Sequence, residues 1–268
     1  MKIIEPHIHM VSRTTDDYQA LSWAGIHTIT EPSFWPGFDR RSVEGFRDYF
    51  EQLTQAEPLR AAQFGITHYS WIGLNPKEAE DINLAREVLT VIPDFLDRHN
   101  VLGIGEIGLN KNSKNELNVL EMQISIAAER NELILVHTPH LEDKLKGTRL
   151  IMDVLANESR INPWRVLIDH AEEHTVAEIK NQGFWCGLTL YPQSKCTPAR
   201  AVDIVESCGS DQIWINSSAD WGISDPLATL KAVEEMRKRG HTEQVIEKIF
   251  YKNPNTFLSQ CAKFATPF

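Results

Sequence analysis

Short apolar runs rich in β-branched residues recur along the whole chain, and polar segments with helical spacing separate them. The runs are 2–5, 26–30, 60–67, 101–107, 132–138, 165–169, 184–190 and 212–217. Each has the length of a strand and is too short for a stable helix. Between them, helical spacing covers 16–24, 40–56, 76–98, 115–129, 147–156, 174–181, 197–208 and 225–239. Thr197-Pro198 and Asp225-Pro226 are cap-plus-proline helix starts. Eight strand–helix units in one chain of this length predict a (β/α)8 TIM barrel. Continuously apolar strands suit a parallel sheet covered by helices. An open doubly wound sheet alternates in the same way, but no glycine-rich phosphate turn follows the first strand. Gly103, Gly105 and Gly108 have similar spacing but lie within or just past the fourth strand. With no linker, repeat or low-complexity segment, residues 1–268 are read as one domain. The tail after Ala262 is expected to pack loosely.

The polar residues fall at the strand ends. In the predicted barrel His7 and His9 follow the first strand, and His68 follows the third. His137 and His140 follow the fifth, and His170 ends the sixth. Glu31 and Glu106 close the second and fourth, and Asp220 lies just past the eighth. The C-terminal strand ends of a TIM barrel converge on the face that carries the active site. Residues i and i+2 of an extended segment share a side, so His7 and His9 can ligate one ion. Glu106 closes an apolar strand and must be paired or coordinated, and it has two oxygens to share. Four histidines, Glu106 and Asp220 form a nitrogen and oxygen ligand set without thiolate. It suits Zn²⁺ first, with Mn²⁺, Mg²⁺ or Fe²⁺ as alternatives. Six ligands exceed what one open tetrahedral zinc needs and suit two divalent ions about 3.5–4 Å apart. Such a pair activates water, and Asp220 is placed to carry its proton to the leaving group. The expected chemistry is hydrolysis.

Composition and charge narrow the substrate. The chain is 42% hydrophobic and 24% charged, ordinary for a globular fold. No run approaches the roughly 18–20 apolar residues of a membrane span, and no signal-peptide pattern opens the chain. A cytoplasmic location without membrane contact is expected. Cys186, Cys196, Cys208 and Cys261 form no CxxC pair and are read as reduced thiols. A net charge of −10 disfavours a protein that coats long nucleic acid.

The order of His7-Ile8-His9, Gly105-Glu106-Ile107-Gly108-Leu109, Val136-His137-Thr138, Asp169-His170-Ala171, Ser217-Ser218-Ala219-Asp220 and Asn253-Pro254-Asn255-Thr256-Phe257 resembles the TatD family of metal-dependent hydrolases, in the amidohydrolase superfamily. The resemblance implies a TIM barrel in which His7, His9 and Asp220 bind one ion and His137 and His170 the other. Glu106 would bridge the two, Asp220 would also shuttle the proton, and His68 would lie near the substrate. The chain departs from the family pattern at Asn110, where an acid is usual, and in lacking a proline after His68. Ser218-Ala219-Asp220 also stands where an acidic triplet is usual, with one acid fewer and Trp221 beside Asp220. It therefore looks like a divergent branch.

The leading expectation is hydrolysis of a phosphoester, a small molecule or a nucleic acid end. The alternative is a lactone, ester or cyclic amide, favoured by Trp35, Trp71, Trp185 and Trp221 near the strand ends. The loop with His140, Lys144, Lys146 and Arg149 is a candidate phosphate cradle. Glu31 is read as a carboxylate orienting His7 or His9, as a further ligand, or as a partner of Arg13. The oligomeric state has no signal in the sequence.

Overall fold

The computed structural model describes residues 1–139 and 143–265. Eight parallel strands run in the order β1 to β8: Ile3–Glu5, Ile26–Pro32, Thr67–Ile72, Val101–Gly108, Leu133–His137, Val166–Ile168, Trp185–Thr189 and Ile213–Asn216. Each neighbouring pair is parallel, and helices lie between successive strands, so the fold is the expected TIM barrel. Beyond β1 and β8 the backbone ties the two ends of the sheet together. Ser218 N–H donates to the His7 carbonyl and His9 N–H to the Ala219 carbonyl, both at 2.8 Å. The barrel thus closes through the residues that flank the histidines.

The apolar residues form two buried groups. The larger packs the helices on the outer strand faces. The smaller fills the barrel, with Ile4, Trp71, Leu102, Leu135, Trp185 and Trp214 among its members. Phe257, on the helix Asn253–Leu258, plugs the barrel bottom against Trp185 and Trp214. Asn253 anchors that helix by donating to the carbonyls of Ser210 and Ile213. The Asn253–Phe257 motif is therefore structural.

Three expectations are corrected. The third strand lies at Thr67–Ile72, because 57–62 continues the preceding helix. That helix begins at Val43, where Ser42 caps it, and its apolar face buries Phe46, Tyr49, Phe50, Leu53 and Ala61. The run 60–67 therefore mixed the last helical turn with the first strand residue. His68 consequently stands near the start of β3 and not past its end. Trp71 and Trp185 are barrel-core side chains, since Trp185 opens β7 at the end remote from the site. The tail packs: Phe264 is buried against Tyr69, and Ala265 N–H donates to the Tyr69 hydroxyl at 2.9 Å.

Candidate metal centre

Five of the predicted ligands meet at the C-terminal mouth of the barrel. His7 and His9 leave β1, Glu106 and His137 end β4 and β5, and His170 follows β6. Their donor atoms fall into tight groups, each within 4.8 Å: His7, His9 and Glu106; Glu106, His137 and His170; and His7, Asp169 and His170. Glu106 belongs to two of these groups. Its Oε1 stands 2.8 Å from His137 Nδ1, 2.8 Å from His170 Nε2 and 3.9 Å from His7 Nε2. Its Oε2 accepts from Asn75 Nδ2 at 3.2 Å.

The donor atoms carry the protonation states a cation needs. Asp169, an acceptor, takes the Nδ1 hydrogen of His7, which leaves the His7 Nε2 lone pair facing the pocket. A directed chain does the same for His170. Its Nδ1 lies 2.7 Å from the Thr189 hydroxyl, which donates to Asn216 Oδ1 at 2.9 Å. Asn216 Nδ2 in turn donates to both Asp169 oxygens. His170 therefore donates to Thr189, and its Nε2 lone pair also faces inward. Burial pushes His9, His137 and His170 below the usual histidine range, holding them neutral.

Ring nitrogens crowd together, with 3.1 Å between His7 and His9 Nε2 and 3.1 Å between His170 Nε2 and His137 Nδ1. Two nitrogens on one zinc at about 2.0–2.1 Å stand roughly 3.0–3.4 Å apart. The spacing and the nitrogen and oxygen donor set fit divalent cations. His170 holds a left-handed backbone, φ 58°, uncommon for a residue other than glycine and concentrated at functional sites. The Asp169 carboxylate needs Gly187, since a Cβ there would lie 2.0 Å from its Oδ1.

The remaining predicted residues are placed differently. Asp220 lines the same pocket but stands outside the tight groups. Its Oδ1 accepts from the Tyr191 hydroxyl at 3.0 Å and from Gly222 N–H at 2.7 Å. Trp221 is 54% exposed at the pocket rim, 6.2 Å from Trp35 between ring centroids. Glu31 orients neither His7 nor His9. Its oxygens accept from Val11 N–H and pair with His68 Nε2, both at 2.8 Å, and Arg13 pairs with Asp17 instead. Glu31 and His68 are buried in this pair, away from the pocket lining. The reason for His68 is its position at the start of β3. His140 lies outside the described residues. Of its neighbouring cations, Lys144 donates to the His170 carbonyl at 2.7 Å and Arg149 pairs with Glu178, so both are structurally engaged.

Two cations in the pocket had no strong sequence signal. Lys77 follows β3 and Lys195 follows β7, four strands apart around the barrel. Both line the pocket of about 170 Å³ with His9, Glu106, His137 and Asp220. Each ammonium lies over an aromatic ring, Lys77 at 4.7 Å from Trp35 and Lys195 at 5.0 Å from Tyr191. Among the described residues neither has an ion-pair partner within salt-bridge distance. Burial lowers Lys195 below the usual lysine range, against the pull of Glu106, Asp169 and Asp220. Asp169, Thr189 and Asn216 were also missed as a set, although Asp169 adjoins His170 in sequence.

Histidines and a shared carboxylate at the mouth of a parallel barrel define a metal-dependent hydrolase, and similarity to known proteins agrees. Residues 48–259 match the model of the TatD related DNase family, and the chain belongs to that family. It is 28% identical over 261 residues to an uncharacterized metal-dependent hydrolase of Methanocaldococcus jannaschii, covering 95% of this chain and 99% of that protein. Its fold superposes on the TatD-like protein of Archaeoglobus fulgidus with a TM-score of 0.78 at 24% identity, over 96% and 99% of the two chains. The phosphotriesterase homology protein of Escherichia coli, solved with phosphate in its active site, gives 0.67 at 13% identity over 96% and 98%. Among the described residues no helix is long and apolar enough to cross a membrane.

Proposed function

We propose that this chain hydrolyses the phosphoester bond of a small substrate at two divalent ions, zinc by preference. His7 and His9 would hold one ion and His137 and His170 the other, with Glu106 shared between them. Bound there, such ions supply a water of lowered pKa and polarise a phosphoryl oxygen. The observation that carries the phosphoester reading is the pair of ammoniums, Lys77 and Lys195, that have no ion-pair partner among the described residues and line a pocket of neutral imidazoles. On a chain of net charge −10, such cations favour an anionic substrate group. A lactone or cyclic amide offers them no anion.

The chain's own residues then divide the work. Lys77 and Lys195 hold the non-reacting phosphoryl oxygens by charge-assisted hydrogen bonds. Asp220, fixed through Oδ1 by Tyr191 and Gly222, moves the proton to the leaving oxygen through its other oxygen. Trp35 and Trp221 form the wall that limits water around the leaving group.

Elemental analysis of the purified protein, followed by a substrate panel, tests this reading. The expected result is about two ions per chain and turnover of p-nitrophenyl phosphate or its diester. Lys77→Ala and Lys195→Ala should raise KM for these esters. Turnover restricted to lactone or amide substrates, with KM unmoved by either lysine, would transfer the site to the alternative reading.

A further inference from the structure

A second cleft opens beside the metal pocket. Its volume is about 860 Å³, against about 170 Å³ for the pocket that holds the histidines. Phe34 and Trp221 line both. Phe34 stacks on the His9 imidazole, with ring centroids 4.2 Å apart and planes within 16°. The ring is therefore a partition, with a candidate ligand on one face and the cleft beside it. Trp221 follows Asp220 directly, and its indole packs over the turn at Gly37. Phe38 is 66% exposed, large for an apolar side chain that covers nothing. Tyr49 and Pro36 complete an aromatic and apolar wall.

The charges of the cleft leave it near neutral. Arg40 is taken up by Glu78 at 2.6 Å and stacks 3.8 Å over Tyr49. Asp39 accepts from Trp35 Nε1. Arg41 and Asp48 balance each other in sign among the remaining lining residues. A polynucleotide track would need a run of unpaired cations along it. This cleft supplies ring faces instead, and every planar aromatic group has a face to offer them.

Building on the phosphoester reading, we propose that the cleft is the leaving-group subsite and takes the uncharged planar aromatic group of the substrate, as an aryl or nucleoside phosphoester presents it. The phosphoryl group then lies between Lys77 and Lys195, and the ring passes Phe34 and Trp221 into the cleft. The small pocket, walled by the candidate ligands and the two lysines, takes the phosphoryl group. The large cleft explains why exposed aromatic side chains gather at one side of the mouth. A cleft of this volume has room for an aryl or nucleoside group, and without a row of unpaired cations it gives a longer strand no backbone contacts.

Non-hydrolysable phosphonates separate the two readings. Calorimetric binding to the metal-loaded full chain is measured with methylphosphonate and with benzylphosphonate. Benzylphosphonate should bind at least about tenfold tighter. Phe38→Ala removes a wall. Gly45→Leu adds bulk to a cleft-lining helical position, where a Cβ would meet only Ser42 Oγ at an ordinary 3.5 Å. Each variant should cut the benzyl preference to about threefold or less and leave methylphosphonate affinity within about twofold. Equal affinity for the two phosphonates, or a preference that survives both variants, overturns the subsite while the phosphoester reading stands. Failure of both phosphonates to bind removes the phosphoester reading, and the subsite with it. Oligothymidylates whose affinity climbs with each added nucleotide would show a strand track and overturn the assignment of one ring.

Discussion

Asp169 Oδ2 takes the Nδ1 hydrogen of His7 at 2.5 Å, across 162 positions of sequence and with both side chains fully buried. The same carboxylate accepts from the His170 backbone N–H at 2.7 Å and from Asn216 Nδ2. One buried acid thus sets the tautomer of His7 directly and the orientation of His170 through Asn216 and Thr189. Burial would raise this acid, but His170 and His7 hold it well below the carboxylate range, so it stays an acceptor.

Asp169→Asn keeps the shape and replaces one acceptor by a donor, which then faces the donors of Asn216, His170 or His7. Loss of an orienting partner of this kind costs roughly 10–100-fold in metal affinity. Competition with a chelating dye should show that loss. Imidazole ¹⁵N spectra of the metal-free variant should show His7 released from its Nδ1–H tautomer. Unchanged metal affinity and an unchanged His7 tautomer would leave Asp169 a packing residue.

Asp220 differs from the five clustered residues, because it lies in the pocket while its Oδ1 is held by Tyr191 and Gly222. Asp220→Asn should therefore keep metal content near that of the parent. Removing a positioned proton carrier costs about 10²–10⁴-fold in turnover. Tyr191→Phe, which only loosens Asp220, should lower turnover by less. A variant with Asn at 220 that loses one ion would make Asp220 a ligand first.

Acid should destabilise the metal-free protein. His9, His137 and His170 are held below the ordinary histidine value near 6.5, so the folded chain binds fewer protons than the unfolded chain as pH falls below it. Stability is therefore lost as pH drops below about 6.5. Glu5 acts in the opposite sense. Burial pushes it up to about 8, so its contribution is lost as pH rises from about 4.5 to 8. Denaturant unfolding of the chelated protein should rise in stability from pH 5 to 6.5 and fall toward pH 8, and Glu5→Gln should flatten the second limb. A steady fall across pH 5–8 would refute neutral histidines.

The barrel was legible because its strands are buried on both faces and read as unbroken apolar runs. The clustering of the candidate ligands was legible because a strand end in a barrel is a fixed place in space, so His7, His9, Glu106, His137 and His170 could be brought together by position. The third strand failed for the same reason in reverse: the helix ending at Ala62 is apolar enough to imitate a strand start. That shift carried His68 to the wrong end of its strand. Lys77 and Lys195 gave no signal, since lysines are common in loops and only the closed barrel shows that these two lack ion-pair partners among the described residues. Asp169 was visible as part of a motif, but its role depends on Gly187 and Asn216, which meet it only in the folded sheet.

Glu31 and His68 offer the sharpest test of that displacement. The sequence places His68 near the substrate and Glu31 beside the candidate ligands or Arg13, yet they form a buried pair at 2.8 Å with no exposed side-chain surface. Removing one member of a buried pair leaves the other poorly satisfied, at a cost of about 3–5 kcal/mol. For a chain of this size each kcal/mol lowers Tm by about 2–4 °C. His68→Ala should therefore melt roughly 10 °C or more below the parent by these scales, while KM for a small phosphoester stays unchanged in the folded fraction. His68→Gln, which can still donate to Glu31, should recover much of the loss. A variant that melts normally and raises KM would return His68 to the substrate, and would require the mouth of the barrel to reach deeper along β3 than the lining of the pocket indicates.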